Sequence, residues 1–461
     1  MMDQLSELNG KVEFFRRITA SFNMNSIYHK NFSRPKTYRA QREEVYRLWD
    51  SFLAQKSDPF LSLYVHFPFC SDRCCFCIYQ SDILRRPDQI ESHLACLEKE
   101  ILYFKGLFSR SSFTTLYFGG GTPSLMSEEQ LKRLFSMVFS NFSFNGNGTK
   151  CIEYEPRTVT EGKVLVAKDA GIDRISMGVQ SLNQEVMLAS NRGFVPYPEL
   201  RRSIELVNSQ GFSDFNIDLM ALLPGDSISR FSRTVEGIMS LEVPSVTIYF
   251  YKHKPNLKFT KLIPPEKYKR YQDYSEPYSR EELFSAIRPI VEQYKYEAGR
   301  ISPSMVSQLF FRKGHRPPIS NPTQPRWSLK NSTFGLGLTS QSFIGHRVEY
   351  VSLSSDTLSF DGLFYSVREY SEMDNMRFFV LSNLEDYKTV DSSEFRASFD
   401  KDLFSVFRDE INALCSLGKA EVDGKNLVML TKSQDELRTY LKFFYDQDYL
   451  KELSVSGTPS A

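Results

Sequence analysis

Between Leu61 and Cys77 the chain reads Leu-Ser-Leu-Tyr-Val-His-Phe-Pro-Phe-Cys-Ser-Asp-Arg-Cys-Cys-Phe-Cys, and no other stretch restricts the possible fold so sharply. Leu61–Phe67 is a short apolar strand, and Pro68, which has no N–H to give a ladder, ends it. A loop crowded with thiols follows. Cys70, Cys74 and Cys77 have the spacing C-x3-C-x2-C, which lets three sulfurs from one loop converge on one metal centre. Thiolates are the ligands that iron–sulfur clusters use. A cube of four irons held by three cysteines keeps one iron open, and an open metal position marks a catalytic site rather than a structural one. A zinc knuckle is the alternative, but zinc sites close with a fourth Cys or His at short spacing. Cys75 adjoins Cys74, which is poor geometry for the same ion, and His66 precedes the loop on the strand side.

From Leu61 onward strands and helices alternate, the pattern of a parallel sheet built from βα units. The strands expected are Leu61–Phe67, Thr114–Phe118, Lys150–Tyr154, Arg174–Val179, Phe215–Leu219 and Ser245–Tyr251. Between them lie expected helices at Asp88–Phe104, from a Ser127 cap to Phe142, from Pro156 to Asp169, around Glu185, at Pro198–Gln210 and at Ser229–Leu241. Six such repeats with right-handed crossovers close into an α/β barrel, a partial (β/α)6 TIM-like barrel over residues 59–255. Residues 1–58 form an N-terminal helical arm, with Tyr38–Lys56 at helical spacing. Residues 256–350 are a linker and barrel-completing segment: a loop at 256–280, a helix at Glu281–Tyr296, a basic proline-rich loop at Arg312–Arg326, and Ser332–Gly345 returning to the barrel. Residues 351–461 read as helices plus one hairpin, Ala420–Leu430, a winged-helix-like module with a frayed end at Ser454–Ala461.

In a parallel barrel the functional residues gather at the C-terminal strand ends, and this chain has an unusual residue at nearly every one. Gly119-Gly120-Gly121-Thr122 follows the second strand, where glycines let a backbone approach a ligand with N–H and C=O groups available. The run is not a phosphate loop, because the spacing differs from G-x4-G-K-[ST] and no Lys follows. Glu153 or Glu155 ends the third strand and can accept from ribose hydroxyls; the plainer alternative is a surface carboxylate beside a proline turn. Gln180 and Arg192 flank the fourth helix, and an Arg fork can hold a carboxylate, although most arginines are solvated surface charges. Asp218 lies in the otherwise apolar run Phe-Asn-Ile-Asp-Leu-Met, where an unpaired carboxylate would be costly. Phe76 and Tyr79 are aromatic residues of the thiol loop, able to stack on an adenine or simply to fill core. His253, His315 and His346 stand alone and read as surface or structural histidines.

Five segments in order, Tyr64-Val-His-Phe-Pro-Phe-Cys70, Tyr117-Phe-Gly-Gly-Gly-Thr-Pro-Ser124, Glu153-Tyr-Glu-Pro156, Arg174-Ile-Ser-Met-Gly-Val-Gln-Ser181 and Ile217-Asp-Leu-Met with Leu-Pro-Gly225, carry a resemblance. They resemble the radical S-adenosylmethionine (SAM) superfamily and, within it, the oxygen-independent coproporphyrinogen III oxidases, their heme-chaperone and heme-degrading relatives, and the class C radical SAM methyltransferases. The resemblance is clear over residues 60–255 and weaker through Phe334-Gly-Leu-Gly-Leu to the C-terminal module. It implies that Cys70, Cys74 and Cys77 ligate a [4Fe–4S] cluster and that Tyr64, Gly120 and Glu153 contact the SAM on it. It further implies that Phe76, Gly121, Thr122, Gln180, Arg192 and Asp218 surround a second SAM. One departure stands out: the oxidases of the family have a fourth cysteine two residues past the third, and this chain has Tyr79 there.

The function this resemblance implies is reductive cleavage of SAM to a 5′-deoxyadenosyl radical acting on an organic substrate, a tetrapyrrole or a natural product, with one or two SAM molecules, the second as a methyl or methylene donor. The alternative from another class is a heme chaperone that binds heme for transfer. A low-potential electron donor such as flavodoxin or ferredoxin is the expected partner. The net charge of +1 among 461 residues gives no electrostatic footprint for nucleic acid or an anionic membrane, and no apolar run reaches the length of a membrane span. The N-terminus shows no secretory pattern, and seven cysteines, three of them in one loop, do not form a disulfide framework. With an oxygen-labile cluster, these features lead to an expected cytoplasmic location.

Overall fold

The computed structural model describes residues 6–7, 9–13, 32–55, 59–79, 81–212, 214–251, 276–299, 307–315, 331–345, 347–354 and 359–450. The expectations for most of the 256–280 and Arg312–Arg326 loops, for His253 and His346 and for the Ser454–Ala461 end lie outside these residues.

One 13-stranded sheet organises the described part of the molecule. Its centre is a run of parallel strands, Phe60–Phe67, Thr115–Gly120, Lys150–Tyr154, Arg174–Gln180, Asp214–Ala221 and Ser245–Phe250, each paired to the next. Asn331–Leu336 adds a seventh, parallel to Phe60–Phe67 on its other side, so the Phe334-Gly-Leu segment does return to the sheet. Beyond it come antiparallel strands Gln341–Ile344, Val348–Ser354, Leu363–Glu369 and, at the edge, Lys36–Ala40. Ser307–Arg312 and Tyr296–Ala298 continue the sheet at the opposite edge.

The parallel strands are amphipathic in an unusual sense. Strands buried on both faces normally read as continuous apolar runs. Here alternate residues are polar, and the register sets them side by side: Ser62 opposite Thr115, Tyr64 opposite Tyr117, Glu153 opposite Ser176, Asn216 opposite Ser176 and Ser245, Asp218 opposite Thr247. Hydrogen bonds run along this inner face, from Thr115 Oγ1 to Ser62 Oγ at 2.8 Å and from Asn216 Nδ2 to Ser176 Oγ at 3.1 Å. The other face, with Leu63, Val65, Phe118, Ile152, Ile175, Met177, Ile217, Leu219, Val246 and Ile248, is buried in the main core. Helices Asp88–Phe104, Glu128–Phe139, Tyr197–Ser209, Ile228–Met239 and Arg280–Gln293 contribute apolar residues to that core. The Ser127 cap is a capping box closed by Gln130.

Two expectations are corrected. The helical arm is in part a strand: Lys36–Ala40 pairs with Leu363–Glu369, and the helix runs Arg42–Gln55, with Glu44 Oε2 accepting from Gln41 N at 3.0 Å. Trp49 of this helix is fully buried, donates to Tyr350 Oη at 2.7 Å and packs its ring on Phe108 and Phe334. The expected boundary at 350/351 falls inside the strand Val348–Ser354, which alternates in burial and pairs with Leu363–Glu369 to extend the sheet. A separate core begins at Met376, built from helices Glu372–Tyr387, Ser392–Phe399 and Arg408–Ser416 and the small sheet of Thr389–Asp391, Ala420–Asp423 and Asn426–Met429. Val12 and Phe32 are buried in that second core, and Phe32 O accepts from Asp446 N at 2.8 Å. Among the described residues no helix is long and apolar enough to cross a membrane.

Glu100 shows how the helix layer is tied to the sheet. It is 1% exposed, and Oε2 accepts from Gly337 N at 2.8 Å. Burial pushes its carboxyl from the ordinary 4.5 up to about 7. The folded state therefore binds the extra proton between these values, so stability is full below pH 4.5 and falls as pH rises to about 7. Urea unfolding of the metal-free chain is expected to show this decline, and Glu100→Gln should flatten it by on the order of 2–3 kcal/mol. An equal slope in wild type and variant would contradict the assignment.

Candidate functional site

Beyond Pro68 the cysteine loop is closed at its neck and pinned at its tip. Phe69–Cys70 pairs with Asp82–Ile83, with Asp82 N donating to Pro68 O at 2.8 Å and Leu84 N to Cys70 O at 2.9 Å. Arg73, only 6% exposed, spans the loop and donates to Ser81 O and Oγ at 2.8 and 2.7 Å. From the end of helix Gln184–Ala189, Asn191 Nδ2 donates to Arg73 O at 2.8 Å and Ser190 O accepts from Cys75 N at 3.1 Å. Cys70, Cys74 and Cys77 line one cavity, whereas Cys75 is buried in the main core. The three thiols of the C-x3-C-x2-C spacing thus share a cavity, and the fourth packs in the core.

Burial pushes the Cys77 thiol up to about 11 and raises Cys70 as well, Ser81 and Thr122 opposing the latter through hydrogen bonds. Holding these groups as thiolates therefore requires positive charge. Arg192 brings one, with Nη1 3.5 Å from Cys74 Sγ and Nη2 2.5 Å from Gly178 O. Burial opposes the charge on Arg192; the Cys74 thiol and then the Glu155 carboxylate outweigh it. Among the described residues no three His, Cys, Asp or Glu side chains are grouped to hold one metal ion. A cluster binds each thiolate on a different iron and needs the sulfurs farther apart than a single tetrahedral zinc does. The three thiols, the cationic Arg192 and the shared cavity fit a cluster.

The glycine run is stitched to the cysteine loop. Gly121 N donates to Phe67 O at 2.6 Å and Thr122 N to Phe69 O at 2.7 Å, while Gly120 N donates to Glu153 Oε2 at 3.2 Å. A Cβ on Gly121 would lie 2.2 Å from Phe69 O, and Gly120 has φ +108 with the His66 ring beneath it. The expectation of free N–H groups at Gly120 and Gly121 is therefore corrected: they bond within the protein. The glycines are there because two loops must touch.

Below the loop, Glu153 Oε1 accepts from Tyr117 Oη at 2.7 Å, and burial pushes its carboxyl up to about 7. Asp218 is pushed up to about 6 by burial; Ser176 Oγ and Asn216 Nδ2 donate to it at 2.9 and 2.7 Å. Tyr64 Oη is 2.8 Å from His66 Nδ1, and His66 Nε2 is 3.1 Å from Thr339 Oγ1. Gln180 ends its strand at φ +71, where the pairing with Asp218 and Leu219 slips. The residue is 9% exposed, and its Oε1 has no hydrogen-bond partner among the described residues. An orphaned buried acceptor at a strand end asks for a ligand donor.

Of the expected site residues, Phe76, Gly120, Gly121, Thr122 and Arg192 share the cavity with the three thiols. Tyr64, Glu153, Gln180 and Asp218 are strand residues, with Glu153 close enough to both Tyr64 and Asp218 to bias their charge states. Sequence reasoning missed Asp72 and Arg157, which pair at 2.9 Å beside the thiols. The charged Asp72 within the loop and Arg157 two residues past Glu155 were the available signals. Glu155, rather than Glu153, lines the thiol cavity.

Comparison with known proteins agrees with this geometry. Residues 64–238 match the radical SAM superfamily. The chain is 33% identical over 201 residues to the oxygen-independent coproporphyrinogen III oxidase of Escherichia coli (strain K12), 43% of each chain, and 30% identical over 205 residues to the heme chaperone HemW of the same organism, 44% of this chain and 53% of that one. It spans about half the length of these curated relatives. The solved coproporphyrinogen III oxidase (HemN) from Escherichia coli superposes with a TM-score of 0.71 at 22% identity, covering 88% of this chain and 94% of that one. The two share a fold.

Cys70→Ala, Cys74→Ala and Cys77→Ala are each expected to abolish the iron and sulfide taken up on anaerobic reconstitution, and Cys75→Ala to retain both. Gly121→Ala should behave as the ligand variants do, because its added carbon meets backbone and cannot be accommodated. Full iron content in Cys74→Ala would refute the assignment.

Proposed function

On the premise of a radical SAM domain at residues 64–238, we propose that the chain is an enzyme that cleaves SAM reductively and turns the resulting radical on an organic substrate of the tetrapyrrole or natural-product class. The observation that supports this reading is the convergence of only three thiols, with the Gly120–Thr122 loop and Arg192, on one cavity at the end of a polar inner sheet face. Cys70, Cys74 and Cys77 would hold a [4Fe–4S] cluster, which when bound supplies the electron that breaks a carbon–sulfur bond of SAM. A low-potential donor of the flavodoxin or ferredoxin type would deliver that electron.

The remaining residues bind and orient. Glu153, held by Tyr117 and the Gly120 N–H, presents a fixed acceptor for ribose hydroxyls. Gln180 Oε1 awaits a donor, and an ammonium or hydroxyl of bound SAM supplies one. Asp218 is buried with two neutral donors and no ion pair among the described residues, so a bound sulfonium or ammonium would find an uncompensated carboxylate there. Arg192 faces Cys74 and the Gly178 carbonyl, between the cluster ligands and any second SAM. Tyr64 and Phe76 supply aromatic walls. Tyr79, 57% exposed on the loop, does not supply a fourth thiol, and we read the substrate as something other than coproporphyrinogen.

Anaerobic protein with SAM and dithionite is expected to yield 5′-deoxyadenosine by mass spectrometry, with S-adenosylhomocysteine beside it if a second SAM donates a methyl group. A loaded cluster with no nucleoside product, together with stoichiometric heme binding, would overturn the enzyme in favour of a chaperone. Asp218→Asn should raise the Kd for SAM about tenfold, the worth of one charged hydrogen bond, while leaving the iron content intact.

A further inference from the structure

Arg157 has no part in the roles above, yet it is held from three directions. Its Nε donates to Glu155 Oε1 at 2.9 Å, and its Nη2 donates to Asp72 Oδ2 at 2.9 Å and Ser71 Oγ at 3.3 Å. Ser71 and Asp72 lie between the first two thiols, Cys70 and Cys74. Glu155 is 5% exposed, accepts from Arg157 N at 3.2 Å and lines the thiol cavity with Arg192. Arg192 in turn stands 3.5 Å from Cys74 Sγ. Asp72 of the loop is thus tied through Arg157 to Glu155 at the end of strand Lys150–Tyr154, while Arg192 reaches the second thiol from another element. Gly193 shapes the seat: a Cβ there would lie 2.0 Å from Arg157 Nη1 and 2.3 Å from Cζ.

We propose that Arg157 is a positioning residue for the metal centre: it clamps the Cys70–Cys74 arc to the strand end through its guanidinium fork. The inference rests on the reading of the three thiols as cluster ligands. The physical case has two parts. The arc from Ser71 to Cys74 has no ladder of its own, so the Asp72 and Ser71 contacts restrain backbone that must carry two ligands. A planar fork also bonds two partners in fixed directions, which a lysine cannot reproduce. The pair with Asp72 is 35% and 42% exposed, and such pairs add little to global stability. Its effect is local. Outer-shell partners orient ligands and tune the metal, and hydrogen bonds to cluster sulfur raise its reduction potential.

The test uses the full chain, reconstituted anaerobically, as wild type, Arg157→Ala, Arg157→Lys, Gly193→Ala and Asp72→Ala/Arg157→Ala. Two quantities are read: the rate of iron release to a ferrous chelator, and the midpoint potential followed by electron paramagnetic resonance. Arg157→Lys, which keeps a positive charge beside the buried Glu155, should leave the unfolding midpoint of the metal-free chain unchanged, while Arg157→Ala should release iron on the order of tenfold faster and lower the potential. Gly193→Ala, which displaces the guanidinium without removing its charge, should do the same, and Lys should restore less than half of the difference. Adding Asp72→Ala to Arg157→Ala should change nothing further. Wild-type release and potential in Arg157→Ala overturn the proposal, as does wild-type release in Arg157→Lys or additive behaviour of the double variant. A wild-type chain that takes up no cluster fails at the reading beneath, and Arg157's role falls with it.

Discussion

Two backbone hydrogen bonds, Gly121 N to Phe67 O and Thr122 N to Phe69 O, hold the site together. They join the end of one strand's loop to the start of another's, and they form only if the two chains touch. That contact explains the glycines: at Gly121 even a methyl group would strike the Phe69 carbonyl. It also sets where the cysteine loop leaves the sheet, because Phe69 leads directly into Cys70. The loop's neck, its Arg73 brace and its link to Asn191 all build outward from that seam. A site assembled this way has its geometry prescribed before any cofactor arrives, which is what preorganised binding requires.

The sheet beneath inverts the usual economy of parallel strands. Its helix-facing side carries the apolar core, and its inner side is a ladder of hydroxyls, amides and carboxylates. Burying so many polar groups is tolerable because nearly all are paired, Asn216 alone bridging Ser176, Asp218, Ser245 and Thr247. Glu153 and Asp218 are paired too, but with neutral donors. Desolvation pushes both carboxyls up toward neutrality, so each gains from a ligand that brings a donor or a positive charge.

Much of this was legible in the sequence. The alternation of short apolar strands with helices marks the six central strands, and the C-x3-C-x2-C spacing separates the three thiols that share the cavity from Cys75. Long-range pairing was less so. Lys36–Ala40 is a strand because Leu363–Glu369 offers it an edge more than 300 residues away, and nothing local declares that. Val348–Ser354 and Leu363–Glu369 do alternate, but the pattern was outweighed by the helices that follow. The glycine run showed close approach without showing to what; its N–H groups meet protein rather than ligand. Asp72 and Arg157 showed in the sequence only as separate charges for a related reason: a surface-type ion pair has no periodicity, and only the fold brings residue 72 to residue 157.

That last case shows what kind of information the fold adds. Sequence motifs name groups that chemistry needs at fixed spacing along the chain, such as thiols from one loop. They do not name the groups that hold those thiols, because a restraint acts through space and any strand end that comes near can supply it. Here the third strand does so through Glu155 and Arg157, and the fourth helix through Asn191 and Arg192. Both follow strands whose inner residues also line the ligand face. The order of the strands around the sheet therefore makes one set of loops serve two ends, bracing the thiol loop on one side and bordering the polar inner face on the other. A change in either loop should be felt at both.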